Sequence, residues 1–284
     1  MTSALRLNLL GAGRVGQTLA WLWHDQGLAD IQDLLTRSHT SALEAATHLG
    51  QGRALGQLSE ARPADLWLLA VPDAQLPIAA QRLAEAAALH SWPTSMAWHC
   101  SGFLASDVLA PLSAIGWSVA SAHPAMSFAQ PTTARTQFAG TPCALEGDAA
   151  ATDTAARLLT AIGGRCFPLR TQDKLRYHAA AVLASNFAPV LQAAAADLWQ
   201  SCGMPEPLVT ALWQGFVRRV GDNLLQMGPQ AALTGPASRG DLAVVDAQTA
   251  ALTALDPALG QAYAALSELA GRLARSGHVL PDQT

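Results

Sequence analysis

The chain has 284 residues, half of them hydrophobic and 13% charged, with a formal net charge of −4 at neutral pH. That length suits one large domain or two ordinary ones, and the hydrophobic content excludes a disordered chain. The acidic balance argues against nucleic acid or an anionic membrane surface as partner, because both reward a basic face.

Four cysteines, Cys100, Cys143, Cys166 and Cys202, stand far apart without a C-x-x-C pair, so no metal site or disulfide framework is indicated and a cytoplasmic location is expected. The opening stretch "MTSALRLNLLGAGRVG" imitates a secretory signal only until Arg14 interrupts it.

"LRLNLL" (5–10) reads as a strand, residues 13–25 as a helix stopped by Gly27, and "IQDLLT" (31–36) as a second strand. Ser41 and Glu44 are spaced as a capping box that would open the next helix. Further strands are expected at "LWLLAV" (66–71), "SMAWHC" (95–100), "WSVASA" (117–122), "TPCALE" (141–146) and "GRCFPL" (164–169), with helical patterns between most of them. Such alternation predicts βαβ units and a mainly parallel sheet. Beyond about residue 170 only helix is expected, over 171–200, 205–226, 241–255 and 257–275. The expected architecture is a Rossmann-type α/β domain, residues 1–169, followed by an all-α domain for substrate binding and dimerisation, residues 170–284. Residues 179–196 carry no charge and nearly reach a membrane-spanning length, yet they are alanine-rich and hold Ser185, Asn186, Pro189 and Gln192. They read as a buried helix and not as a membrane span.

"GAGRVG" follows the first strand and opens the first helix, the context that makes a G-x-G-x-x-G pattern specific. Gly11 permits the tight turn, Gly13 the close approach of a pyrophosphate, and Gly16 the packing of helix on strand. Ala12, Arg14 and Val15 complete the loop. The second strand ends in Thr36, Arg37 and Ser38, with no carboxylate to hold a ribose 2′-hydroxyl; Asp33 stands three residues too early. Arg37 can pair with a 2′-phosphate and the two hydroxyls can donate to it, which predicts NADP(H) over NAD(H). Val71, Pro72, His99, Ser101 and Gly102 fall at strand ends and are expected near the nicotinamide. His99 and His123 are candidate substrate contacts, with a structural hydrogen-bonding role as the plain alternative.

Lys174 is the sole lysine of the chain, in a set of 17 basic residues. Lys174 and His178 are spaced i, i+4 at the start of a nearly uncharged helix, with Thr171 as a possible cap and Asp173 suited to the helix dipole. Ser185 and Asn186 extend the polar stripe, and the first turns are expected at a cleft between the domains. Lys174 or His178 can protonate the atom left when hydride reaches a C=O or C=N carbon. A surface pair of Lys174 with Asp173 is the competing reading. "LTGPASRGD" (233–241) reads as an irregular loop in which Asp241 can cap a helix. There Arg239 either clamps a substrate carboxylate or pairs with Asp241.

"GAGRVG", "HCSGFLASDVLAPL", "SAHPAMSFA", "DKLRYHAAAVLASNF" and "LTGPASRGD" together resemble the 6-phosphogluconate-dehydrogenase-like superfamily. More narrowly they resemble its Rossmann-like plus DUF2520 proteins, often labelled candidate NADP oxidoreductases. The wider group includes pyrroline-5-carboxylate reductases, ketopantoate reductases, prephenate dehydrogenases and F420-dependent NADP reductases. The resemblance implies a homodimer built through the α domain. In hydroxy-acid dehydrogenases of the 3-hydroxyisobutyrate type the lysine stands in a Lys-x-x-x-Asn pattern. Here His178 occupies the fourth place and Asn186 comes two turns later. The expected activity is NADP(H)-dependent reduction of a small carboxylate-bearing substrate, either a 2-oxo acid such as ketopantoate or a cyclic imine acid such as pyrroline-5-carboxylate. The alternatives are an NADP(H)-sensing dimer without turnover and an F420- or flavin-linked reductase.

Overall fold

The computed structural model describes residues 4–128 and 130–281, so the first three residues of the opening stretch and Ala129 of "SAHPAMSFA" lie outside the described residues. The apolar run Leu5–Leu10 forms β1 and buries Leu7, Leu9 and Leu10, although alternate residues point to opposite faces. Both faces of this strand are covered, which is why it lacks the apolar–polar alternation of a half-solvated strand. The other strands are β2 (Ala29–Leu35), β3 (Arg53–Ala54), β4 (Leu66–Leu69), β5 (Met96–His99), β6 (Ser118–Pro124), β7 (Pro142–Gly147) and β8 (Arg165–Pro168). They form one eight-stranded sheet in the order β3-β2-β1-β4-β5-β6-β7-β8. Every neighbouring pair is parallel except β6 with β7. The strand order reverses at β1, so the crevice beyond the carboxyl ends of β1 and β4 is the place for a ligand.

Helices α1 (Arg14–Asp25), α2 (His39–Leu49), α3 (Leu76–Leu89), α4 (Ala110–Ser113), α5 (Pro131–Gln137) and α6 (Ala149–Ala161) connect the strands. Two apolar layers result. Leu7, Leu9, Leu19, Trp23, Trp98 and Leu158 lie in one, and Leu10, Trp67, Leu69, Leu83 and Trp117 in the other. The expected capping box at Ser41 is not formed. Ser38 caps α2, its Oγ accepting the Ser41 N–H at 3.2 Å, so Ser41 already lies inside the helix.

After β8 the backbone makes a 3₁₀ turn (Thr171–Asp173), helix α7 (Lys174–Ala181), a π turn (Val182–Asn186) and helix α8 (Phe187–Ser201). Helices α9 (Glu206–Ala232), α10 (Pro236–Arg239), α11 (Leu242–Leu255) and α12 (Pro257–Ser276) follow. Gly228, at φ 77° and ψ 170°, breaks the regular path of α9 just before Pro229. The chain separates into two compact units, one ending at Ala188 and one beginning at Pro189. Lys174, His178, Ser185 and Asn186 therefore belong with the sheet.

Candidate active site

At the end of β1, Gly11 has φ +85°, and a Cβ there would lie 2.5 Å from the Ala70 carbonyl oxygen. A Cβ is already present at Ala70, and one added at Gly16 would come within 2.8 Å of it. Both glycines are therefore required by close approach of α1 to β4. Gly13 occupies the N-cap of α1 without any side-chain cap. The first-turn N–H groups are left for an anion. They open on a cleft of about 370 Å³ lined by Gly13, Arg14, Val15, Val71, Pro72 and Ser101, among others. Six of the residues expected at a dinucleotide thus come together. Ala12 belongs to the same turn, its carbonyl accepting from Gln17 Nε2 at 2.7 Å.

At the end of β2 the hydroxyls differ from expectation. Thr36 donates to the Ser38 carbonyl at 2.8 Å, and Ser38 Oγ is shared between the Ser41 N–H and the Ser41 hydroxyl. Both hydroxyls shape the turn, and Arg37 between them is exposed. Asp33 is buried in the strand under Arg53 and Arg62, at 3.0 and 2.7 Å. Burial alone would raise its pKa, but the hydrogen bonds from Arg62 and Arg53 outweigh this and hold it below the ordinary carboxylate range.

The loop after β5 is tied from within. His99 is fully buried, its Nδ1 accepting the Ser101 N–H at 3.1 Å and its Nε2 lying 3.0 Å from the Ala105 carbonyl. Those partners require the proton on Nε2. Burial pushes its pKa down to about 4, against the pull of the Ala105 carbonyl, with the Lys174 and His123 charges adding to the fall. The expected substrate contact at His99 is therefore corrected: both ring nitrogens serve the loop. Ser101 Oγ closes the same loop, accepting from Phe103 N–H at 3.1 Å and Leu104 N–H at 2.9 Å.

Lys174 is 1% exposed. Its Nζ donates to Ser121 Oγ at 2.6 Å and to the Ser101 carbonyl at 3.0 Å, and stands 4.0 Å from Glu146 Oε1. Glu146, also buried, accepts from the Ser106 N–H (2.6 Å), the Ser106 hydroxyl (2.8 Å) and the Thr171 hydroxyl (3.2 Å). Burial lowers the lysine's pKa, and the Glu146 charge opposes that shift. Two expectations are corrected here. The Thr171 hydroxyl binds Glu146 and caps nothing, and the ammonium of Lys174 is enclosed by protein groups rather than presented to a substrate. The surface pairing with Asp173 is absent too, since Asp173 pairs with Arg170 and Arg176. A slim ammonium reaches this interior as a single point donor, where a planar guanidinium would need room for a fork.

The groups that do converge are His123, Tyr177 and His178. The Tyr177 hydroxyl lies 2.9 Å from His123 Nδ1, with the rings edge to face at 5.5 Å. A Cβ added at Gly102 would fall 2.6 Å from His178 Nδ1 and 2.8 Å from His123 Nε2. His178 Nδ1 is buried without a hydrogen-bond partner among the described residues. Two imidazoles from different elements thus face the one glycine that follows the cleft-lining Ser101. Ser185 and Asn186 are exposed in the π turn, where the Ser185 hydroxyl donates to the Ala181 carbonyl and the Asn186 Oδ1. Arg239 lies in the unit after Pro189 and pairs with Asp241 at 3.0 Å, so Asp241 stands at the N-cap of α11 without capping it through its side chain. Tyr177, Ser121 and Glu146 escape a reading of the sequence. The one available signal is a lone glutamate ending an apolar strand, which needs a buried partner.

The reversed strand order, the glycine turn and the uncapped helix above it define a Rossmann-like dinucleotide-binding class of fold. Residues 1–124 match the Rossmann-like domain family, and residues 141–270 match DUF2520, a domain of unknown function. The chain thus carries a Rossmann-like domain followed by a DUF2520 domain. Among solved structures, protein TM1727 from Thermotoga maritima is 26% identical, with TM-score 0.74 over 95% of this chain and 99% of its own. A candidate NADP oxidoreductase from Bacteroides fragilis, BF3122, is 21% identical, with the same TM-score and coverage. A 1-pyrroline-5-carboxylate reductase from Streptococcus pyogenes is 15% identical, with TM-score 0.61 over 94% and 99% of the two chains. No functionally curated protein matches the sequence.

Proposed function

We propose that the protein is an NADP(H)-dependent oxidoreductase that reduces a C=O or C=N bond of a small carboxylate-bearing substrate. The observation that carries this reading is a juxtaposition. The bare N-terminus of α1 opens on the cleft lined by Ser101, and the next residue, Gly102, is faced by His123 and His178. The turn Gly11–Gly16 would hold the diphosphate, and Arg37 the 2′-phosphate. When bound, the nicotinamide supplies two electrons as hydride. The substrate's C=O or C=N pair moves to the heteroatom, which takes one proton from water or an imidazole. Lys174 acts as a positioning residue, because its ammonium holds the Ser101 carbonyl and with it the peptide entering Gly102. The names of the Bacteroides and Streptococcus proteins support the same chemistry.

The same reading makes the protein a cytoplasmic homodimer joined through its α domain. A sensor that binds NADP(H) without turnover is the second reading, favoured by the enclosure of the sole lysine.

The test is a screen of 2-oxo acids and cyclic imines by loss of NADPH absorbance, with NADH in parallel and NADPH binding titrated separately. Tight binding with no turnover of any member would favour the sensor, and no binding would remove both readings. In the same titration Arg37→Asp should weaken NADPH far more than NADH, since it sets a carboxylate against the phosphate. Equal losses for both cofactors would show that Arg37 does not read the phosphate.

A further inference from the structure

We propose that Tyr177 fixes His123 as the neutral tautomer protonated on Nε2, and that this N–H is the donor offered to the substrate, so the substrate is a carbonyl compound such as a 2-oxo acid and not an iminium. The proposal rests on the oxidoreductase reading above and deepens it at the same site.

The argument begins with the hydrogen bond of 2.9 Å between the Tyr177 hydroxyl and His123 Nδ1. One of the two atoms must supply the proton. A phenol is a strong donor and a weak acceptor, and an imidazole lone pair is the better acceptor, so the hydroxyl donates and Nδ1 stays bare. The neutral ring then carries its proton on Nε2. Tyr177 is held for this task between rings, edge to face with His123 at 5.5 Å and with Phe167 at 6.0 Å. Burial pushes its pKa up to about 12, so it keeps the proton it donates. The imidazolium form of His123 is disfavoured by the same surroundings. Burial pushes its pKa down to about 4, and the charges of Lys174 and His178 add to that fall.

The position of Nε2 gives the tautomer a use. The Nε2 edge of the ring faces Gly102, where a Cβ would stand only 2.8 Å away. Among the described residues His123 has one hydrogen bond, the one to Tyr177, so Nε2 is free to donate. His178 Nδ1 is turned to the same glycine, buried and unpartnered. An unpaired buried nitrogen costs free energy unless a ligand atom meets it. A fixed neutral N–H suits an atom with a lone pair that gains charge during hydride addition, and a carbonyl oxygen is that atom. A cyclic imine is reduced as its protonated iminium, because hydride addition to the neutral C=N would leave a strongly basic amide anion, and the iminium nitrogen has no lone pair with which to accept this N–H. Tyr177 is accordingly a positioning residue that acts through His123.

The experiment is a two-bond proton–nitrogen correlation spectrum of the full chain labelled with ¹⁵N-histidine, recorded at pH 7 with and without NADPH. His123 is identified by the signals lost in His123→Gln. The expected spectrum has a protonated Nε2 and a bare Nδ1 at His123, and Tyr177→Phe should relax this to a mixture of tautomers. A proton on Nδ1, a doubly protonated ring, or an unchanged His123 spectrum in Tyr177→Phe would overturn the proposal. If Tyr177→Phe does not fold, the spectrum of the unaltered protein still decides the tautomer. On the substrate side, 2-oxo acids should be turned over and cyclic imines should not; the reverse overturns the carbonyl assignment. With that substrate, His123→Gln should lower kcat by about two orders of magnitude and Tyr177→Phe by about tenfold, with KM for NADPH unchanged. Failure of NADPH to bind at all would sink the oxidoreductase reading while leaving the tautomer result standing, so the two failures are distinguishable.

Discussion

The enclosed ammonium of Lys174 has an enclosed carboxylate opposite it, and neither can be removed singly without stranding the other. Lys174→Met keeps the volume and deletes the charge, leaving Glu146 buried with only its hydroxyl and N–H donors. Breaking a buried pair in this way costs about 3–5 kcal/mol, which for a chain of this size lowers the melting temperature by about 6–20 °C. Lys174→Arg should recover little of that loss. A melting temperature unchanged in Lys174→Met would show that the network carries no stability and would return the lysine to consideration as a reactive group. His99 makes a second prediction, in pH. Its pKa is about 4 in the folded chain against 6.5 unfolded. Between those values the unfolded chain binds a proton that the native chain refuses. Stability due to this ring is therefore complete above pH 6.5, falls as the pH drops, and is lost below about 4. Urea unfolding midpoints measured across that window should slope less steeply for His99→Gln than for the parent chain.

Among the elements, the strands of the sheet read clearly from the sequence because each is a short apolar run closed by turn residues. Two features did not read. β3 has only Arg53 and Ala54, too few residues to carry a period. The π turn at Val182–Asn186 leaves no mark in composition, and it inserts an extra residue into the face that began at Lys174 and His178. The start of α2 shows why a motif can mislead. Ser41 and Glu44 have capping-box spacing, but Ser38 is an equally good cap one turn earlier, and the β2 turn ends there. Ser38→Ala should therefore cost about 1 kcal/mol, while Ser41→Ala should cost much less; equal costs in chemical denaturation would restore the box at Ser41. The candidate site was legible to the same extent. Glycines demanded by close approach announce themselves by spacing, as at Gly11 and Gly16. The partners of a buried charge come from distant strands, so the link from Lys174 to Ser121 and Glu146 is a product of the fold.

For the molecule as a whole, large apolar side chains stand open on the helices after β8, including Leu183 (64% exposed), Val190 (60%), Leu225 (88%), Leu242 (69%) and Leu255 (66%). The homodimer proposed above would cover these faces with a second copy. A homodimer through residues 171–284 predicts a light-scattering mass of twice 29.6 kDa at micromolar concentration; a mass of 29.6 kDa would remove the homodimer. The segment Thr171–Ser201 has the length and apolar character of a membrane-crossing helix. The expectation of a buried helix over 179–196 is corrected, since none of this apolar stretch is buried. The first turn of the segment nevertheless anchors Lys174 among the strands. That anchoring makes the folded protein nearly inert to amine chemistry. With the sole lysine sealed inside, an amine-directed ester finds no lysine on the native surface. Coupling, dye attachment and cross-linking that go through lysine therefore fail while the fold holds. Modification of Lys174, once it appears, is a clock for the opening of the molecule.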